Sequence, residues 1–166
     1  TYPNVQIIVV DDGSTRADTL EALNALEDVS LLHQENSGPG AAANAAVGAG
    51  DGEYVLNLSA DDILTPGSVS SLLQTLTSAK DIVIAYPVVE KFGTETGLLE
   101  TPDEARLEDI LIYNCIVTTS LVRRTHWELG GGFDTHRDCS EDWPLWGSVL
   151  GRTGGRAVKS RDALLL

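Results

Sequence analysis

The sequence predicts an α/β fold, a three-layer α/β/α domain around a mostly parallel central sheet. Three observations predict it. Short apolar runs at 5–10, 29–33, 53–58 and 81–86 alternate with segments of helical periodicity, the pattern of parallel strands joined by crossover helices. The first run has Gln6 as its only polar member and is dominated by β-branched residues, the composition of a strand covered on both faces. Two of the runs end in paired acids, Asp11-Asp12 and Asp61-Asp62. That puts carboxylates at the carboxyl ends of strands, where open α/β sheets bind ligands.

The elements follow in order. Residues 15–25 read as a helix, with Leu20, Leu23 and Leu26 at helical spacing. Ser14 or Thr15 caps it, and Asp18 and Glu21 suit the positive end of its dipole. After the strand at 29–33, the run Gln34-Glu35-Asn36-Ser37-Gly38-Pro39-Gly40 is a loop by composition. Residues 41–49 are nearly all alanine, a strong helix former small enough to lie close against a sheet. Asp51-Gly52 turns into the third strand. Pro66 opens a helix at its first turn, with Val69, Leu72, Leu73 and Leu76 on one face. The second half is less regular. It reads as a hairpin or loop at 92–103, a short helix at 107–112, a strand at 117–122, a short helix at 124–129 and a break at Gly130-Gly131-Gly132. A last helix at 141–150 carries Leu145/Val149 and Trp146/Leu150 as i,i+4 pairs.

Composition narrows the function. A chain of 166 residues is one domain with a sizeable core, and 42% apolar with 22% charged residues describes an ordinary globule. No apolar run approaches the roughly 20 residues that span a bilayer. The chain starts at Thr1, lacks methionine and enters a strand almost at once, which reads as a fragment of something longer. A net charge of −14 argues against nucleic acid and anionic membrane as partners. No Lys or Arg occurs between Ala17 and Ala79, where His33 is the only potential cation. A phosphate-bearing ligand in that half therefore has its charge met by a metal ion or by backbone amides. Each acid pair is compatible with a turn and a helix cap. If all four carboxylates share one sheet edge, they raise each other's pKa unless a cation joins them, and oxygen ligands suit Mg²⁺ or Mn²⁺. Cys115 and Cys139 lack a CxxC spacing and read as core or incidental thiols in a reducing compartment rather than a disulfide.

Seven segments carry a resemblance: VVDDGST (9–15), NSGPGAAANAA (36–46), GEYVLNLSADDILTPG (52–67), DIV (81–83), TSLVRR (119–124), GGFD (131–134) and EDWPLW (141–146). Their order and spacing resemble those of family 2 glycosyltransferases with the GT-A fold. The resemblance covers nearly the whole chain, 1–166, as one domain. It implies a nucleotide-sugar-binding half at 1–90 and an acceptor and catalytic-base half at 91–166.

By position, the resemblance implies that Asp12 contacts the donor nucleobase and that Asn36 and Gly38 lie beside the nucleotide. It implies that Asp61 binds Mn²⁺ or Mg²⁺ on the diphosphate of a nucleotide-sugar donor, typically UDP-linked. Asp142 is then the general base that deprotonates an acceptor hydroxyl, in a single displacement with inversion. Asp142 also precedes Pro144 at a helix start, where it can serve as an N-cap. Trp143 can stack on a sugar, Trp146 reads as core, and His126 and His136 as surface or loop residues. Saccharide and lipid-linked acceptors both stay open, with a cytoplasmic location, peripheral at the inner face of the membrane, and with homo-oligomers. The sequence departs from the family at three points. Ser59 stands where the acidic triplet has its first acid, Ala43 where an Arg is common, and the family's opening strand is absent before Thr1. That strand lies inside the sheet, so without it the ladder has a gap and the donor site stands half open. These departures support an alternative, a non-catalytic domain of the same fold that binds nucleotide or a partner. A phosphoacceptor signalling domain is a poorer fit, because Lys80 sits at the wrong end of its strand.

Overall fold

The computed structural model describes residues 2–136 and 140–166. Its strands form two sheets. In the first, β1 (Ile8–Asp11) and β2 (Ser30–His33) pair in parallel, Ile8 opposite Ser30 and Asp11 opposite His33. The crossover between them carries α1 (Ala17–Asn24). This helix starts later than its hydroxyls suggest, because Asp11 takes the Ser14 amide first, at 2.9 Å. Arg16 is left at the N-cap position with no side-chain cap.

The second sheet runs, in spatial order, β3 (Tyr54–Leu56), β7 (Leu121–Arg123), β4 (Ile82–Lys91), β8 (Arg156–Leu165) and β6 (Glu104–Ala105). β5 (Gly97–Leu99) folds back on the end of β4 as the hairpin expected at 92–103. β4 and β8 are parallel, while β7 is antiparallel to both of its neighbours. The sheet is therefore mixed where a mostly parallel one was expected. The alternation of strands and helices describes the first half well, but β7 from the second half inserts between β3 and β4.

Nor is the first strand covered on both faces. Ile8, Val9 and Val10 are only half-buried, and Val5 and Ile7 are 52% and 50% exposed. The cause is topological: β1 has a strand partner on one side alone. What joins the two sheets is α2 (Pro39–Ala49), whose small residues let it sit close. Ala43 and Val47 enter the main core, and Gly50 backs onto the Ile8 side chain. Gln6, the one polar residue of the first run, accepts a hydrogen bond from the Asp51 amide at 3.1 Å. Arg124 closes the other side, donating to the carbonyls of Gly52 at 2.7 Å and Val47 at 2.9 Å.

Helices cover both faces of the larger sheet. On one, α3 (Ser68–Thr77) buries Leu72 and Leu76 against Ile82, Ala85, Leu121 and Ala163. On the other, α2, α4 (Leu107–Ile110), α5 (Arg124–Gly130) and α6 (Trp143–Thr153) enclose Val83, Tyr86, Phe133 and Trp146. Both expected i,i+4 pairs of α6 are buried, and Trp146, 1% exposed, meets Phe133 edge-on at 6.1 Å. No helix among the described residues is long and apolar enough to cross a membrane.

Sequence reading misses β8 altogether, because Arg156, Lys159, Arg161 and Asp162 disguise a strand at the heart of the sheet. Its cations are met by acids from neighbouring segments: Arg156 by Asp81 and Glu104, Arg161 by Asp103. Its register with β4 jumps from Ser160 to Leu164, so a three-residue bulge lifts the charged stretch out of the ladder.

Candidate active site

The end of β1 is built around two carboxylates with different tasks. Asp11 faces inward, 7% exposed, and holds the Ser14 amide and His33 Nδ1, the latter at 3.0 Å. The hydrogen bonds from Ser14 and His33 hold its carboxyl at about 2, below the usual carboxylate range. Asp12 points to the loop that follows β2. Its Oδ1 accepts from Gln34 Nε2 at 2.7 Å and the Ser37 amide at 2.8 Å, and its Oδ2 accepts from the Gly38 amide at 2.8 Å. Gly38 has a φ of +95°, a conformation that favours glycine, and it is the N-cap of α2. The Asx-loop contacts also bring Asn36 against Gly13, whose own φ is +82°. The structure thus gathers Asp12, Asn36 and Gly38, three residues the resemblance assigns to the nucleotide, into one hydrogen-bonded turn.

A second group lies beside the first turn of α2, where Gly40 meets Asp134 and Glu141. Asp142 stands at the start of α6 but does not cap it: its side chain makes no bond to the helix amides. The carboxylate turns instead into a pocket of about 570 Å³ whose wall includes Ser59, Asp62, Tyr113, Thr119 and Glu141. It is buried, 3% exposed, with Oδ1 accepting from Asn114 Nδ2 at 3.0 Å and Oδ2 from Thr118 Oγ1 at 2.7 Å. Trp143, half-exposed, is fixed by its indole N–H on the Ile110 carbonyl at 2.6 Å.

Of the second acid pair, Asp62 lines this pocket and Asp61 is exposed beside it. Burial, and then the neighbouring Asp61 charge, push the Asp62 carboxyl up. The four strand-end acids do not merge into one cluster. Among the described residues no group of three or more His, Cys, Asp or Glu side chains converges on a metal position. Asp11 and Asp12 have their oxygens engaged by Ser14, by His33 and by the loop after β2. Cys115, also in the pocket wall, is a buried free thiol, and burial raises its pKa. Cys139 lies outside the described residues. His126 is half-buried rather than at the surface, and burial lowers its pKa; His136 is exposed.

The two groups meet through α2. A Cβ on Gly40, two residues after Gly38, would lie 1.8 Å from the Asp134 carbonyl oxygen and 3.2 Å from Glu141 Cβ. Only glycine lets the loop pack so closely beside the residue preceding Asp142. One turn further on, Asn44 grips the Phe133 backbone twice, donating to its carbonyl at 2.9 Å and accepting from its amide at 2.9 Å. This clamp imitates a strand pairing and anchors GGFD, the segment leading to Asp142. Asn44→Ala strands a half-buried backbone N–H and C=O together, so urea denaturation should show a loss of about 2 kcal/mol in unfolding free energy. Gln34, Asn44, Asn114 and Thr118 are site residues that sequence reading does not single out. Only Asn44 lies within a quoted segment, and no local spacing marks the others.

The family model for Glycosyl transferase family 2 matches residues 1–130. The Escherichia coli UDP-Glc:alpha-D-GlcNAc-diphosphoundecaprenol beta-1,3-glucosyltransferase WfaP is 27% identical over 100% of this chain, which spans 65% of that protein. The putative glycosyltransferase EpsH of Bacillus subtilis is 34% identical over 54% of this chain and 27% of that protein. Among solved structures, S. aureus TarS 1–349 in complex with UDP-GlcNAc matches with a TM-score of 0.74 at 18% identity, over 96% of this chain and 48% of that one. This last likeness is one of fold. In each case the chain spans less than two thirds of its relative. The motif order read from the sequence and the match through residue 130 agree, and the chain belongs to glycosyl transferase family 2.

Proposed function

We propose that the chain transfers a sugar from a nucleotide-sugar donor, UDP-linked, to an acceptor hydroxyl with inversion, and that Asp142 is the general base. The observation that carries this reading is the Asp142 carboxylate, turned away from its helix into the pocket of about 570 Å³ that Asp62 and Ser59 also line. A buried carboxylate in a pocket that also holds Asp62, with no Lys or Arg among the described lining residues, is costly to hold for structure alone. In this reading the Asp12 turn presents its loop to the nucleobase, and Asn36 and Gly38 lie along the nucleotide. Asp142 takes the proton of the acceptor hydroxyl as its oxygen attacks the anomeric carbon. The bond from that carbon to the diphosphate oxygen breaks on the opposite face, and the electron pair leaves with the nucleoside diphosphate.

The residues present fit a hard divalent cation, Mn²⁺ or Mg²⁺. Asp62 is held above its normal range beside Asp61, a strain that a cation would relieve. Magnesium-type sites use one or two carboxylates together with substrate phosphates and water, so a three-acid cage is not required. Asp61, with Asp62 and the Ser59 hydroxyl, would hold it, and there it would neutralise the departing diphosphate. The saccharide or lipid-linked nature of the acceptor, and self-association, belong to the same proposal; the name of WfaP supports a lipid-linked saccharide.

Isothermal titration of UDP with and without Mn²⁺ tests the donor site. Metal-dependent binding is expected, and Asp61→Ala should remove it with the fold intact by circular dichroism. Unchanged affinity in that variant would take Asp61 out of the site. The alternative, a nucleotide-binding domain without catalysis, is favoured by Ser59 in place of an acid. Metal-dependent UDP binding with no release of nucleotide from any sugar donor would establish it.

A further inference from the structure

We propose that Asn114 and Thr118 are positioning residues that hold the Asp142 carboxylate in its reactive orientation, an inference that rests on Asp142 being the base. Neither lies in a segment that identifies the family. Both sit in the irregular stretch before β7, and each reaches one carboxylate oxygen, Asn114 at 3.0 Å and Thr118 at 2.7 Å. One donor per oxygen fixes the plane of the carboxylate and leaves each oxygen a lone pair toward the pocket.

The surroundings show why this grip matters. Among the described residues, the titratable groups lining the same pocket are Asp62, Glu100, Tyr113, Cys115 and Glu141, none of them a cation. The donors that reach the Asp142 carboxylate here are the neutral Asn114 amide and Thr118 hydroxyl. Asn114 itself is a poor purely structural choice. With Nδ2 given to Asp142, its Oδ1 is buried without a hydrogen-bond partner. Buried polar atoms left unpaired are rare and costly, so the one strong bond that this amide makes is the one that justifies its place. Which end of the amide faces Asp142 follows from that bond, since a carboxylate only accepts. Thr118 adds a hydroxyl that valine would replace at nearly equal volume.

The test uses nucleotide release from UDP-glucose, UDP-N-acetylglucosamine, UDP-galactose, GDP-mannose and dTDP-glucose, with water as acceptor and Mn²⁺ present. For whichever donor the unsubstituted chain hydrolyses, Thr118→Val and Asn114→Leu should each lower kcat about 10- to 100-fold, the scale of a misplacement of about 1 Å. KM for the donor should stay within about twofold. Thr118→Ser, which keeps the hydroxyl, should recover most of the loss. If Asn114→Leu fails to fold, the Thr118 pair decides alone. The inference is overturned if Thr118→Val keeps full kcat, or if kcat falls only together with thermal stability and without rescue by serine. Asp142→Asn separates the two levels. If that variant is inactive while Thr118→Val and Asn114→Leu are unaffected, the positioning role fails and the base survives. If Asp142→Asn stays active, or no donor is hydrolysed by the unsubstituted chain, the base reading fails and takes the positioning role with it.

Discussion

Asp142→Asn should cut turnover of the sugar nucleotide by about 10²- to 10⁴-fold, the usual contribution of a positioned general base, with UDP affinity unchanged. The reason lies in how the introduced amide would sit. Its oxygen can face Asn114 Nδ2 and its NH₂ can face Thr118 Oγ1, because a hydroxyl accepts as readily as it donates. Both contacts persist with the Thr118 hydroxyl turned to accept, the volume is unchanged, and the α6 start is undisturbed because the carboxylate makes no cap there. Only the capacity to take a proton is lost. Steady-state nucleotide release beside calorimetric UDP binding reads both halves. An active variant, or one that has lost UDP, would count against the assignment.

Gly40→Ala should be the most damaging single-methyl change in the site. The new Cβ would stand 1.8 Å from the Asp134 carbonyl oxygen, which is backbone and cannot swing aside. Either the loop before α2 or the GGFD segment must move, and Glu141 moves with the latter. Overpacking of this kind costs about 1–3 kcal/mol. Displacing Asp142 by about 1 Å costs about 10²-fold in rate. Urea denaturation and nucleotide release should therefore both change. By contrast Gly48→Ala, on the same helix with nothing within 4 Å of the new methyl, should be silent or slightly stabilising.

The contrast between these residues shows what is legible in a sequence. Asp12 and Asp142 are visible because they sit in short segments with a fixed order of residue types. Trp146 and the Leu72/Leu76 stripe are visible because periodicity is local. β8 is hidden, since a strand carrying Arg156, Lys159 and Arg161 looks exposed until Asp81, Asp103 and Glu104 are brought beside it. The place of β7 is hidden too, because partner choice among strands is set by the whole chain. Asn44 finds Phe133 across 89 positions, and Asn114 finds Asp142 across 28, separations at which no spacing rule operates. The half-buried state of β1 follows from its pairing with β2 alone, and a run of valines and isoleucines looks the same with one strand neighbour or two.

That division into two ladders has an energetic consequence for any donor. A molecule that touches the Asp12 turn and the Asp61 turn together straddles two sheets, since among the described residues no strand pairing connects β1 to β3. Part of its intrinsic affinity goes into holding them in register. On the proposed function, ligand and fold are coupled: a bound sugar nucleotide would act as a removable staple, tightening residues 8–38 onto the rest of the protein in proportion to its saturation.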